Sequence, residues 1–115
     1  MTDDTNGTGT SAAIRRLNDQ LRINLTGGKV MMTPGLIALG LEMQARVLAA
    51  VRTFDAFTEE NDPWGEHDMG ALDVQGHRIF FKLDYFDPNM TYLSDDPADS
   101  DKTVRVLTIM LADEY

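Results

Sequence analysis

Cysteine is absent from this 115-residue chain, which removes disulfides, thiolate metal sites and cysteine nucleophiles together. Long apolar runs are missing as well. No stretch reaches the roughly 18 apolar residues of a membrane span. The opening MTDDTNGTGT has neither the basic nor the apolar region of a signal peptide. These absences lead us to expect a soluble, cytoplasmic protein. Histidine occurs twice and tryptophan once, and two histidines without cysteine make a poor zinc inventory. Basic residues are scarce, ten Lys and Arg against nineteen Asp and Glu, for a net charge of −9. Residues 1–54 carry six basic and four acidic side chains and residues 55–115 carry four and fifteen, so the balance passes from +2 to −11. Such a field repels nucleic acid and argues against direct DNA or RNA binding. It improves solubility and would equally attract a basic protein.

What is present fits one globular domain: 43% apolar and 25% charged residues in a chain of ordinary domain size. Residues 1–10 read as a flexible tail and 11–115 as a single α+β domain. Ser11 can cap a helix over 12–24, with Ile14, Leu17 and Leu21 on one face and Arg15, Arg16 and Arg22 off it. Lys29–Thr33 reads as a short strand. Thr33-Pro34 starts a helix that Gly40 interrupts, and a longer helix over 41–55 carries the stripe Met43, Val47, Leu48, Val51, Phe54.

Two strands, 66–74 and 77–86, flank Gln75-Gly76, which suits a two-residue hairpin turn. Paired numbers then sum to 151. Leu72, Val74, Ile79, Phe81, Leu83 and Tyr85 share the core face, while His67, Met69, Asp73, Arg78, Phe80, Lys82 and Asp84 share the other. A one-residue slip would bury the charged set. After an acidic loop over 88–102, Val104–Leu111 fits a buried strand, although periodicity alone does not separate strand from helix in so short a run. The expected architecture is an antiparallel sheet of three to four strands with two main helices on one face. The expected core is Ile14, Leu17, Leu21, Val47, Val51, Phe54, Leu72, Ile79, Phe81, Leu83, Val106 and Ile109.

Chemistry concentrates in Asn61–Gly70, NDPWGEHDMG. Asp62, Glu66 and Asp68 are the candidate oxygen donors for a cation, without the Asp-x-Asp-x-Asp-Gly calcium pattern. His67 is expected opposite Asp84, either as an acid/base pair assisted by Glu66 or as an ordinary cross-strand polar pair. The register turns Asp68 inward, where it needs donors, either N–H groups of the 61–65 turn or of the Thr33-Pro34-Gly35 helix start. Trp64 reads as a lid over the sheet end, with a ligand-stacking platform as the alternative. No cofactor is implied by any motif.

The stretches FDAFTEENDPWGEHDMGALDVQGHRIFFKLDYFD and RVLTIMLADEY resemble a family of small uncharacterised alphaproteobacterial proteins, often plasmid-borne and carrying a domain-of-unknown-function label. Asn61-Asp62-Pro63, Gly65-Glu66-His67-Asp68, Phe81-Lys82, Asp84-Tyr85 and Asp87 carry the resemblance. It implies a bacterial, cytoplasmic, mobile-element setting and transfers no activity, cofactor or catalytic residue. With the charge, it leads to the expectation of an acidic inhibitor of a basic, nucleic-acid-binding protein, of anti-restriction or anti-CRISPR type. Carboxylates two apart on a strand are roughly 6.8 Å apart, close to the phosphate repeat. The expected partner surface is Asp73, Asp84, Asp87, Asp95, Asp96, Asp99 and Asp101. The alternatives are a small enzyme built on His67 and Asp84, or a self-associating module using Met69, Phe80 or an open strand edge, as monomer or dimer.

Overall fold

The computed structural model describes residues 8–115. Helix α1 spans Thr8–Asn24, strand β1 Lys29–Met32, the short helix α2 Pro34–Ile37 and helix α3 Leu41–Thr53. Strands β2 (Met69–Val74), β3 (His77–Phe86) and β4 (Val104–Leu111) follow, with single 3₁₀ turns at Ser100–Lys102 and Ala112–Glu114. The expected tail over 1–10 falls partly outside the described residues, and Thr8–Thr10 are already helical. Ser11 therefore lies inside α1, buried rather than capping.

The hairpin has the register read from the sequence, from Met69↔Lys82 through Val74↔His77. Gln75 and Gly76 both take left-handed conformations, φ 49° and 86°, as a type I′ turn requires. Val104–Leu111 is a strand, antiparallel to β3 from Phe86↔Val104 to Ile79↔Leu111. The sheet, ordered β1-β4-β3-β2, is mixed rather than purely antiparallel, because β1 runs parallel to β4. The β2-β3-β4 succession occupies one edge of β4, and β1 fills the other. Its parallel direction follows from the long crossover through α2 and α3, which a parallel pair needs and a tight turn cannot supply.

Both main helices pack on one sheet face, over a core of Leu21, Leu36, Val47, Val51, Val74, Ile79, Phe81, Leu83, Leu107 and Ile109. Several expected core positions differ. Leu17, Phe54 and Leu72 are half-buried, the last two packing against the core, and Ile14 is buried outside it. Val106 is buried at 3% exposure but pairs with Asp84, on the face away from the helices, since its parity is opposite to that of Ile109. On that far face Tyr115 packs edge-on against Phe80, with centroids 5.6 Å apart. The Glu114 carboxylate accepts from Thr33 Oγ1 (2.6 Å), Gly35 N (2.8 Å) and Leu111 N (3.1 Å), which fastens the C-terminal turn to the start of α2.

The two helices also finish one another. Arg22 of α1 donates to the carbonyls of Val51 (3.1 Å) and Phe54 (2.8 Å) at the end of α3. Arg52 of α3 donates to Ile23 O at the end of α1, 2.7 Å away. Each guanidinium satisfies carbonyls that a helix C-terminus leaves unpaired, and its charge suits the negative end of the dipole. Arg22 is consequently 3% exposed, not off the buried face. The expectation failed because a hydropathy stripe ranks Arg as solvated, whereas this one is buried against backbone acceptors.

Candidate functional site

The segment between α3 and β2 begins with a turn closed by its own side chains. Thr58 N donates to Asn61 Oδ1 (2.8 Å), Asn61 N to Thr58 Oγ1 (3.2 Å) and Asn61 Nδ2 to Ala56 O (3.0 Å). Asp62, 7% exposed, then accepts from the backbone N–H groups of Glu66 (3.1 Å) and His67 (3.2 Å). Gly65 at φ 68° and His67 at φ 55° let the chain curl around that carboxylate, and Arg15 donates to Gly65 O at 2.9 Å. The donors expected to serve Asp68 are engaged elsewhere: in the 61–65 turn the amides of Asn61, Asp62 and Gly65 go to Thr58 Oγ1, Thr58 O and Asp62 O, and the Gly35 amide goes to Glu114.

The strand ladder ends at Met69↔Lys82, with one further backbone bond from Leu83 N to Asp68 O (2.9 Å), and His67 does not sit opposite Asp84. Its Nδ1 lies 2.9 Å from Asp19 Oδ1 of α1, and Asp84 pairs with Lys82 at 3.2 Å. This corrects the expected acid/base pair. The left-handed backbone at His67 turns its ring off the sheet towards α1, where it stacks on Phe57 with centroids 3.9 Å apart and planes 6° apart. Asp19 also binds Arg22 at 3.0 Å, and Arg22 lies over the Phe57 ring at 5.3 Å.

Glu66 belongs to a second polar group. Asn18, fully buried, donates through Nδ2 to Glu66 O (3.0 Å) and Tyr85 Oη (2.8 Å) and accepts from Arg105 Nε (2.6 Å). Arg105, 1% exposed, also donates to Pro97 O and lies 5.1 Å from the Tyr85 ring centroid. Burial, then the charges of Asp68 and Asp62, push the Glu66 carboxyl above its usual range. Burial likewise raises Asp68 and Tyr85 and lowers Arg105. The adjacent residues Asn18 and Asp19 therefore join α1 to the 54–68 loop, and through Arg105 to the 94–103 loop.

Among the described residues no group of three or more His, Asp or Glu side chains could hold a metal ion, and Asp62, Glu66 and Asp68 form none. Trp64 is no lid: it is 74% exposed, on the rim of a hollow of about 340 Å³ that His67 and Phe57 also line. Of the expected partner surface, Asp73 is paired with Arg78 at 3.2 Å and Asp84 with Lys82, so that sheet face is balanced in charge. The remaining aspartates lie together on the 87–101 loop, which is more ordered than its composition suggests. Asp87 N donates to Tyr92 O (2.8 Å) and Ser94 N to Tyr85 O (3.0 Å), while Phe86 and Leu93 form a β-bridge. Asp87, Asp96 and Asp99 accept from amides of the same loop. Asp95 and Asp101 are exposed, as are Tyr92 and Leu93 at 73% each.

The model of the family described as "Protein of unknown function (DUF3768)" matches residues 32–114. The chain belongs to this family. The matched span holds Asp62, Trp64, Glu66, His67, Tyr85 and Arg105 but begins after α1, so Asn18, Asp19 and Arg22 lie outside it. No curated protein and no solved structure matches the chain. Sequence reasoning missed Asn18, Asp19, Arg22 and Arg105 as members of the site. One signal was available: Asn18 falls in phase with Ile14 and Leu21, so an amide at that point of an apolar stripe had to be buried and bonded.

Proposed function

We propose that this protein is an acidic interaction module that docks on a basic protein of the nucleic-acid-binding kind, the concrete form being an inhibitor of anti-restriction or anti-CRISPR type. The observation that carries this reading is the exposure of Trp64, Tyr92 and Leu93 on two loops pinned by their own hydrogen bonds and surrounded by carboxylates. Asn18 and Arg105 tie these loops to one end of the molecule. Trp and Tyr are the side chains that most often dominate binding energy, and a loop already ordered loses little entropy on docking. The surrounding acid would speed association with a basic surface and make it salt-sensitive. The cytoplasmic, plasmid-borne setting implied by the family resemblance fits such a role. No helix among the described residues is long and apolar enough to cross a membrane.

The test is capture of a partner from the host, or from a panel of phage-defence proteins, at low and high salt. Asp95→Lys/Asp101→Lys is the cleanest charge reversal, because Asp96 and Asp99 shape the loop. That double variant and Tyr92→Ala should each reduce capture at unchanged melting temperature. Capture indifferent to salt and to both variants would dismiss the reading. An enzyme built on Asp19 and His67 is less well supported: among the described residues no Ser or Thr hydroxyl hydrogen-bonds the His67 ring to serve as nucleophile.

A further inference from the structure

We infer that the hollow beside Trp64 is a receptor for one arginine side chain of the basic partner. This deepens the docking reading and rests on it for the partner, while its chemistry stands on the hollow itself. The hollow, about 340 Å³, is lined by Thr58, Glu59, Asp62, Trp64 and His67, with Phe57 behind the histidine. Its two carboxylates are Glu59 and Asp62, the latter already accepting the Glu66 and His67 amides. Glu59 is exposed at the rim. Asp62 Oδ2 lies 3.9 Å from His67 Nε2, too far for a hydrogen bond.

Among the described residues no Lys or Arg lines the hollow, and the nearby Arg15 is tied to Gly65 O. An anion would meet two carboxylates there. A guanidinium brings the complement: a plane that stacks on an indole face and several in-plane N–H donors for carboxylates. A lysine ammonium carries the charge without the stacking plane, so the site favours arginine. Trp64 has no packing role that accounts for its position. Pro63, the left-handed Gly65 and the closed Thr58–Asn61 turn hold it out over this hollow.

Trp64 is the single tryptophan of the chain, so its fluorescence reports on this site alone. The full chain is titrated with N-acetyl-arginine methylamide, its lysine counterpart and its citrulline counterpart, the last keeping shape without charge. The arginine probe should give a saturable change with a dissociation constant on the order of millimolar, and the lysine probe should bind about tenfold more weakly. Citrulline should give no saturable change. Glu59→Gln should weaken the arginine probe several-fold at unchanged melting temperature, and amide shifts on binding should centre on residues 58–67. Equal responses to arginine and citrulline, or shifts centred elsewhere, would overturn the assignment. The two proposals also fail separately. Partner capture that survives Trp64→Ala but not Asp95→Lys/Asp101→Lys removes the arginine receptor and leaves docking. Arginine binding in the hollow without salt-sensitive capture removes docking and leaves the receptor.

Discussion

Asp19 accepts from the Arg22 guanidinium and the His67 ring together, so one carboxylate on α1 helps to set where the 54–68 loop lies. Neighbouring carboxyls are less well served. Glu66 is raised above its ordinary 4.5 chiefly by burial, then by Asp68 and Asp62, with Tyr85 and Arg105 opposing. A group whose folded value is raised adds stability below its unfolded value and loses it as pH climbs through the folded one. Ionised Glu66 therefore weakens the fold at neutral pH. Glu66→Gln should raise the urea midpoint at pH 7, and the gain should vanish by about pH 3, where wild type is protonated in both states. A loss at pH 7 would mean that Arg105 and Tyr85 outweigh burial.

At the scale of elements, the hairpin is held by a fit between a missing side chain and a large one. Gly70 sits directly across from Phe81, and a Cβ on it would clash with the Phe81 ring. Phe81 is fully buried and packs edge-on against Phe54 and Phe57, with centroids 5.3 and 6.3 Å apart. Gly70→Ala should cost about 1–3 kcal/mol by overpacking, and Phe81→Ala about 3–5 kcal/mol by the cavity it leaves. Because the two positions touch, a double-mutant cycle in urea should show non-additivity: the space vacated at residue 81 takes up the new methyl group. Additive losses would mean that the Gly70 backbone moves instead.

At the scale of the whole molecule, Arg105 reaches α1, β3 and the acidic loop at once, through Asn18, Tyr85 and Pro97. Arg105→Ala leaves Asn18 Oδ1 and Pro97 O without this donor, a loss of about 2–4 kcal/mol. Amide exchange should then quicken in the 94–103 loop before the rest of the sheet. Uniform quickening would show that the loop has no local opening of its own. The same tie joins the 54–68 loop, through Glu66 O, to the 94–103 loop, through Pro97 O, although 31 positions separate those two residues in the chain.

Period-2 alternation with a two-residue turn determined the hairpin register, and the 3.6-residue stripe of Val47 and Val51 determined which side of α3 is buried. Those rules act over a few neighbouring positions, so the chain states them directly. The sign and skew of the charge were equally plain. Tertiary structure alone decided that β1 lies parallel to β4, that Val106 sits on the far face, and that His67 answers to Asp19 rather than Asp84. It also decided that Arg22 and Arg105 are interior groups. The reason is shared: each depends on which acceptors a distant segment brings close, and hydropathy carries no record of a partner dozens of residues away. Asp62 shows the boundary well. Its position before Pro63 announced a turn, but only the folded loop aimed its carboxylate at the Glu66 and His67 amides and left Trp64 standing over the hollow.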